Sequence, residues 1–437
     1  WRKQSLEGPK IFLPLSSSLL VLVPLPVPII TMRRVAGNDA VAEAVAGNID
    51  ILSEILLRVP AKPLLKFKCV SKQWLTLISD PQFCRSHTLR HHNPHALPSA
   101  LLLNNNYRPS PHFQVVPLRT SNSVSPVVRV PYFDYLNVPR VTILQSCNGL
   151  LLCSSGFLVT DDDRGFRYFV CNPTTKQFTV VNLPDREVRD RLITLNLAFE
   201  PSRSPHYRVI SISSGISGVT DDGLSLEIRV YSSETDSWSE CGVCFIASFS
   251  MAIHAGVYCN GAIHWSSQGE DSVYFEVDSQ CLKTLPMPPD TEDWEYRTLA
   301  YFGESRGHLH LILVEPHQRV VFDILEINED YSGWSVRYHV DLTPMQTSFP
   351  ELIWYFKEKN ESFSILCVLR QPKEEDSMVV LVVDGRVMSF NLVNHTSRQL
   401  CDLELCVMPD GCAPFSYERS EAFQYFESLS ILGPSTA

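Results

Sequence analysis

Several things this chain lacks limit what it can do. Its 437 residues contain no glycine-rich phosphate loop and no His-Glu-x-x-His, patterns that place phosphates or a catalytic zinc. There is no RING-like Cys/His ladder either. The 13 cysteines show no framework spacing, and Cys241-Gly-Val-Cys244 is the one Cys-x-x-Cys. A structural zinc takes four ligands, and no second pair or histidine lies near it, so no metal is expected. Cys69, Cys153, Cys171, Cys259 and Cys367 fall inside apolar runs, as free buried thiols do, which suits a reducing compartment. Positive charge is scarce: 37 Lys and Arg against 48 Asp and Glu, net −11, argues against general nucleic-acid binding. Long apolar runs are absent except over residues 11–30, where Pro14, Pro24, Pro26 and Pro28 would break a spanning helix. With Arg2, Lys3 and Lys10 ahead of it, that stretch superficially resembles a signal peptide or anchor, but Met32 offers an alternative start. Residues 1–46 are therefore expected to be an extension, disordered or not native, and no membrane is expected.

What is present begins with helical spacing. Ile51, Leu52, Ile55, Leu56 and Val59 recur at i, i+4 and i+8 offsets. Asp50 in the first turn and Arg58 in the last complement the helix dipole. Pro60 and Pro63 stop this helix and open a second. There Leu64, Phe67, Val70 or Ser71, and Trp74 follow one stripe, and Leu65, Cys69 and Ile78 another. Asp80-Pro81 ends it, and Phe83 to His87 supply a short third helix. Apolar residues on more than one face leave surface for a partner; the alternative is a helical hairpin buried in its own domain. Arg58, Lys62, Lys66, Lys68, Lys72, Arg85 and Arg90 outnumber Asp50, Glu54 and Asp80. That excess either steers an acidic partner or forms a solvated face. His87, His91, His92 and His95 are the tightest histidine cluster, read as a solvated linker because Pro94 breaks the helix.

The runs Asp50-Ile-Leu-Ser-Glu-Ile-Leu-Leu-Arg-Val-Pro60, Phe67-Lys-Cys-Val-Ser-Lys-Gln-Trp74 and Ile78-Ser-Asp-Pro-Gln-Phe83 resemble an F-box. This roughly 45-residue module docks onto the Skp-type linker subunit of a cullin ubiquitin ligase. One departure stands out: the family usually begins with Leu-Pro, where this chain has Gly47-Asn48.

Beyond Leu97 the period changes to alternation. Strands are expected at Leu150–Ser154, Tyr207–Ile212, Leu226–Tyr231, Ala262–Trp265, Leu309–Val314, Val321–Ile327, Phe363–Leu369, Val379–Val383 and Arg386–Leu392. Asp161-Asp-Asp163, Asp221-Asp-Gly223 and Asp384-Gly385 read as turn tips rather than metal sites. Val170–Phe178, Val230–Trp238 and Tyr274–Leu282 align as strand, polar turn, strand. Weaker copies lie at Leu325–Trp334 and Met388–Leu400. Taking Cys171, Tyr231, Phe275, Leu325 and Phe390 as equivalent gives irregular spacing around ~50, as in a Kelch-like propeller of four-stranded blades. Ala100–Leu103 with Phe113–Leu118 would supply an early blade or a closing strand. The expected fold is multidomain: a small all-α module of two to three helices (residues 47–91), then an all-β Kelch-like propeller (residues 92–437).

This β-region is similar to the F-box-associated domain of plant F-box proteins. The resemblance rests on Ser146–Cys153, Asn172-Pro-Thr-Thr175, Leu197–Pro201, His206–Val209, Tyr231–Trp238 and Val257–Trp265. The terminal Ala422–Leu429 is similar to that family's closing segment. The two resemblances imply the substrate-recognition subunit of a Skp–cullin–F-box ubiquitin ligase. The linker subunit, and through it a cullin, would be partners, alongside an unidentified target. No cofactor and no catalytic residue are implied, and the location would be cytoplasmic or nuclear. Linker contact is expected from Leu52, Ile55, Leu56, Pro60 and Leu64, with Phe67, Val70 and Trp74 serving the module's own core. Two rivals remain: a propeller scaffold with a degenerate F-box, suggested by Gly47-Asn48, and a propeller enzyme, for which His254 and His264 could be pocket residues. A secreted or anchored propeller would require residues 11–30 to be a true targeting segment.

Overall fold

The computed structural model describes residues 48–91, 97–103, 113–118, 128–130, 133–136, 138, 141–155, 167–267, 272–288, 298–315, 320–349, 363–383, 385–403 and 422–433. The expected extension and the turn tips at Asp161–Asp163 and Asp384 lie outside these.

Helix α1 (Ile49–Leu56) opens on Asn48, whose Oδ1 accepts the backbone N–H of Asp50 at 3.0 Å and of Ile51 at 3.2 Å. Asparagine is among the best residues for this task, so the departure from Leu-Pro supplies a cap. The expected second helix is two helices, α2 (Ala61–Phe67) and α3 (Lys72–Ser79), separated by a turn at residues 68–70. Ser71 causes the break: its backbone is extended and its Oγ accepts the N–H of Trp74 at 3.2 Å. Asp80 does the same for α4 (Pro81–His91), accepting the N–H of Phe83 at 2.9 Å.

In this helical module Leu56, Leu57, Ala61, Leu64, Ile78, Phe83 and Cys84 are the buried apolar residues beyond Leu52. His87 Nε2 meets the Val59 carbonyl at 2.8 Å and His91 Nε2 the Leu57 carbonyl at 2.9 Å, with the two rings stacked 4.2 Å apart. They satisfy carbonyls left over at the end of α1. This corrects the reading of the histidines as a solvated linker for His87 and His91; His92 and His95 lie outside the described residues.

The β-region forms six four-stranded antiparallel sheets. Strands β1 (Ala100–Leu103), β2 (Phe113–Pro117) and β3 (Val128–Val130) are joined by the last strand, β24 (Ala422–Tyr425), with Leu102 opposite Phe423. The other five sheets are consecutive meanders. They are β4–β7 (Val141–Cys147, Leu150–Ser155, Arg167–Asn172, Gln177–Val181) and β8–β11 (Leu192–Ala198, Arg208–Thr220, Gly223–Ser232, Ser237–Ala247). After them come β12–β15 (Val257–Cys259, Ala262–Trp265, Val273–Glu276, Cys281–Thr284) and β16–β19 (Thr298–Ser305, His308–Val314, Val321–Ile327, Trp334–Asp341). The last is β20–β23 (Ser364–Leu369, Met378–Val383, Arg386–Asn391, Ser397–Asp402). First strands of neighbouring sheets abut, β24 on β4, β4 on β8, β12 on β16 and β16 on β20, so they line the axis of a six-bladed propeller.

All nine expected strands are present. Cys171, Tyr231, Phe275, Leu325 and Phe390 all fall on the third strand of their blades. The polar turn that follows places Lys176, Asp236, Gln280, Tyr331 and His395 in the left-handed region, at φ 50–58°. Between first and second strands, Asn148-Gly149 and Asn260-Gly261 both take positive φ, the pattern of a two-residue hairpin turn matched to strand twist.

Blades bury their faces on one another. Leu152 and Val170 pack in one cluster with Leu197 and Tyr231 of the next blade; Ile210 and Leu226 do so with Ile263 and Phe275. Two tryptophans on fourth strands reach back to the preceding blade. Trp238 Nε1 donates to the Asn182 carbonyl and Trp334 Nε1 to the Pro286 carbonyl, each at 2.6 Å. The chain end is latched by Asn172, fully buried, whose Nδ2 donates to the Ser428 and Ser430 carbonyls at 3.0 and 2.8 Å.

Candidate functional site

Helix α1 carries two apolar rows. Leu52 and Leu56 are 3% and 1% exposed, whereas Ile51 and Ile55 are 45% and 47% exposed. Successive helical residues are about 100° apart, so i, i+4 pairs one position out of step face different ways. Of the expected linker-contact residues, Ile55 and Pro60 are exposed, and Leu52, Leu56 and Leu64 are buried in this chain. The expected core trio is revised too. Phe67 and Trp74 are half-buried and pack edge to face, centroids 5.7 Å apart. Val70 is 59% exposed, because the turn before Ser71 lifts it off the helical stripe.

Sequence reasoning missed Ile49 and Leu75, both exposed. Isolated exposed aliphatics are ordinary, but six of the twelve large exposed ones among the described residues lie between Ile49 and Leu89. That concentration makes the helical module the candidate interaction surface. Its charge is basic: Glu54 is shared by Arg58 at 4.0 Å and Arg90 at 3.5 Å, while Lys66, Lys68, Lys72 and Arg85 form no ion pair among the described residues. Lys62 instead reaches the propeller's closing segment, 3.0 Å from Glu427 and over the Tyr425 ring.

On the propeller axis, the ends of the first strands surround a cavity of 360 Å³. Most of its amides hold the ring together. Gln145 donates to and accepts from the Leu197 backbone at 3.1 and 2.7 Å; Asn148 and Asn260 donate to the Phe199 and Gly307 carbonyls. One motif escaped the sequence reading: Gly303-Glu-Ser-Arg-Gly307 spells Gly-x-Ser-x-Gly. A nucleophile elbow needs a strand-to-helix turn. Here the segment is the hairpin between β16 and β17, and Ser305 Oγ accepts the Arg370 N–H at 2.9 Å. His264 is fully buried, bonded to the Val257 carbonyl and to Tyr331 Oη at 2.7 Å, and packed against Tyr274 and Tyr331, which also stack on each other. It is a core residue rather than a pocket residue. His254 lies at the cavity rim.

Every described cysteine is a free thiol, and burial pushes Cys147, Cys153, Cys259 and Cys367 up, which makes them poor nucleophiles. No group of three or more His, Cys, Asp or Glu among the described residues could hold a metal ion, and none of their helices is long and apolar enough to cross a membrane.

Known proteins decide the family. A model of the F-box associated beta propeller domain matches residues 112–420, and one of the F-box domain matches residues 48–86. F-box protein At5g07610 of Arabidopsis thaliana is 30% identical over 418 residues, covering 91% of this chain and 96% of that protein. The chain belongs to the plant F-box proteins with a C-terminal F-box-associated propeller. F-box protein At5g49610 (30% identical; 66% and 77% covered) and F-box/kelch-repeat protein At3g23880 (24%; 70% and 82%), both from Arabidopsis thaliana, are further relatives. An F-box with a propeller indicates an adaptor type of protein, and the F-box implies a Skp-type partner.

Proposed function

We propose that this F-box protein is the substrate-recognition subunit of a Skp–cullin–F-box ubiquitin ligase. Residues 47–91 would dock on the linker subunit and the propeller, residues 92–437, would hold the target. Transfer is then done by a conjugating enzyme brought near, and the gain comes from raised local concentration of target lysines. The observation that carries this reading is the exposed aliphatic row through Ile55 on a module whose Leu56, Leu64, Ile78 and Phe83 are already buried. Ile55, Pro60, Val70 and Leu75 are the contact residues proposed, with Ile51 continuing the row on α1. Leu52, Leu56 and Leu64 act indirectly, by holding the helices that present them. Lys66, Lys68 and Lys72, without an ion pair among the described residues, would speed encounter with an acidic linker. Free thiols throughout the propeller support a cytoplasmic or nuclear setting.

The test is titration of the full chain with a purified Skp-type linker. Wild type binds, Ile55→Asp does not while keeping its far-UV spectrum, and Leu56→Ala loses stability first. No complex from the wild type would leave a scaffold protein instead.

A further inference from the structure

The outer strand of a blade leaves alternate N–H and C=O groups unpaired along its free side, and charges or proline usually guard such an edge. The outer strands β15, β19 and β23 carry Lys283, Arg337 and Arg398. β11 is the longest of the outer strands, at 11 residues, and no described strand pairs its free side. Its first half is engaged. Trp238 is bonded to the preceding blade, Glu240 holds Arg229 at 3.0 Å, and a bulge follows where Gly242 takes φ 68°. Beyond the bulge, Val243-Cys-Phe-Ile-Ala247 has neither charge nor proline.

The two faces of that second half differ. Val243 and Phe245 pack on the core shared with the next blade, whereas Cys244 is exposed and Ile246 is 52% exposed. Paired with these two on β10, and so on the same solvent face, stand Glu227 beside Cys244 and Ser225 beside Ile246. Val219 and Phe249 are exposed at the same end of the blade. With Ile246 they are three of the six large exposed apolar residues of the propeller among the described ones. The turn between β9 and β10 adds Asp221 and Asp222, both exposed. Neither aspartate nor Glu227 forms an ion pair among the described residues. Arg229 is held by Glu240, and Arg191, which reaches the Ser214 carbonyl on β9, is held by Glu187 at 2.8 Å.

We propose that the free side of β11 from Val243 to Ala247 takes an extended segment of the target protein as a fifth strand, one with a basic and an aliphatic residue two positions apart. This rests on the reading of the propeller as the holder of the target and names where and what it holds. Unpaired backbone groups along an edge recruit a strand. The exposed row sets the side chains: an aliphatic residue covers Ile246, and a lysine or arginine two places along passes the small Cys244 to reach Glu227. The span is two strand spacings, about 10 Å, which a lysine and a glutamate cover together. A second copy pairing by the same edge brings three carboxylates of its own and no free cation to meet them.

The test uses the full chain and an N-acetylated heptapeptide amide, Val-Thr-Lys-Thr-Val-Thr-Lys, with a control peptide in which Glu replaces both Lys. Hydrogen exchange is followed at the amides of Val243–Ala247 that do not bond to β10, and affinity by the anisotropy of labelled peptide. The free chain is expected to be a monomer in which these amides exchange fast. The lysine peptide should bind saturably and slow them, and the glutamate peptide should do neither. Ile246→Lys should weaken binding about tenfold or more and leave titration with the linker unchanged. Glu227→Gln is the second variant should Ile246→Lys misfold, and it should weaken binding and flatten its salt dependence. Linker binding is measured in parallel, so failure at this edge and failure of the ligase reading are told apart. The proposal is overturned if the amides are already protected in the free monomer, because this chain then covers its own edge, or in a dimer, because a second copy does. No saturable binding at millimolar peptide, or equal binding of the glutamate peptide, overturns it as well.

Discussion

His87 and His264 tie stability to pH. Burial pushes both imidazoles down to about 4, against backbone carbonyl contacts that pull the other way. The unfolded chain takes up these protons near pH 6.5 and the folded chain only near 4. Their stabilisation is therefore complete above 6.5 and lost as pH falls towards 4. Glu304 has the opposite sign: the fold keeps its proton up to about 7, while the unfolded chain releases it near 4.5. That contribution is present below 4.5 and lost as pH rises through 7. The thermal midpoint should thus fall between pH 6.5 and 4; His87→Gln flattens that fall in the helical signal, and Glu304→Gln removes the opposing slope. Packing separates residues that look alike in sequence. Leu64→Ala should cost about 2–5 kcal/mol in denaturant unfolding, and Val70→Ala within about 0.5 kcal/mol, since Leu64 is sealed and Val70 faces water. Both lie on the stripe Leu64, Phe67, Val70, Trp74, so periodicity alone could not tell them apart.

Among the elements, the strands were easier to read than the helices. In five blades the turn after the third strand places a residue in the left-handed region, and its polar residues stand out between apolar runs. The break between α2 and α3 was hidden because apolar spacing runs through it; the signal was Ser71, three residues before Trp74, acting as a cap. Cross-blade hydrogen bonds left no trace in sequence spacing. Trp238→Phe keeps an aromatic ring but loses the indole N–H that bonds Asn182, and should lower stability by about 1 kcal/mol. Asn172→Ala strands two buried carbonyls in the chain end, at about 1–3 kcal/mol for each such group. Limited proteolysis should then cut first within residues 422–433.

At the scale of the ring, closure depends on a pairing between opposite ends of the propeller. Removing residues 422–433 leaves β1 an open edge and takes away the partner that abuts β4. Unpaired edges recruit other chains, so this truncation should elute as aggregate in size exclusion while the full chain elutes as a discrete species. The residue order by itself determined the two kinds of secondary structure, the blade repeat on Cys171, Tyr231, Phe275, Leu325 and Phe390, and the likeness to F-box proteins, because periodicity, turn chemistry and short motifs are local. Only the tertiary structure decided that Leu52, Leu56 and Leu64 turn inward while Ile55 and Val70 face out. The number of blades was decided there too. Those outcomes depend on which distant segments pack together, and apolar or acidic residues carry no mark of the partner they will meet.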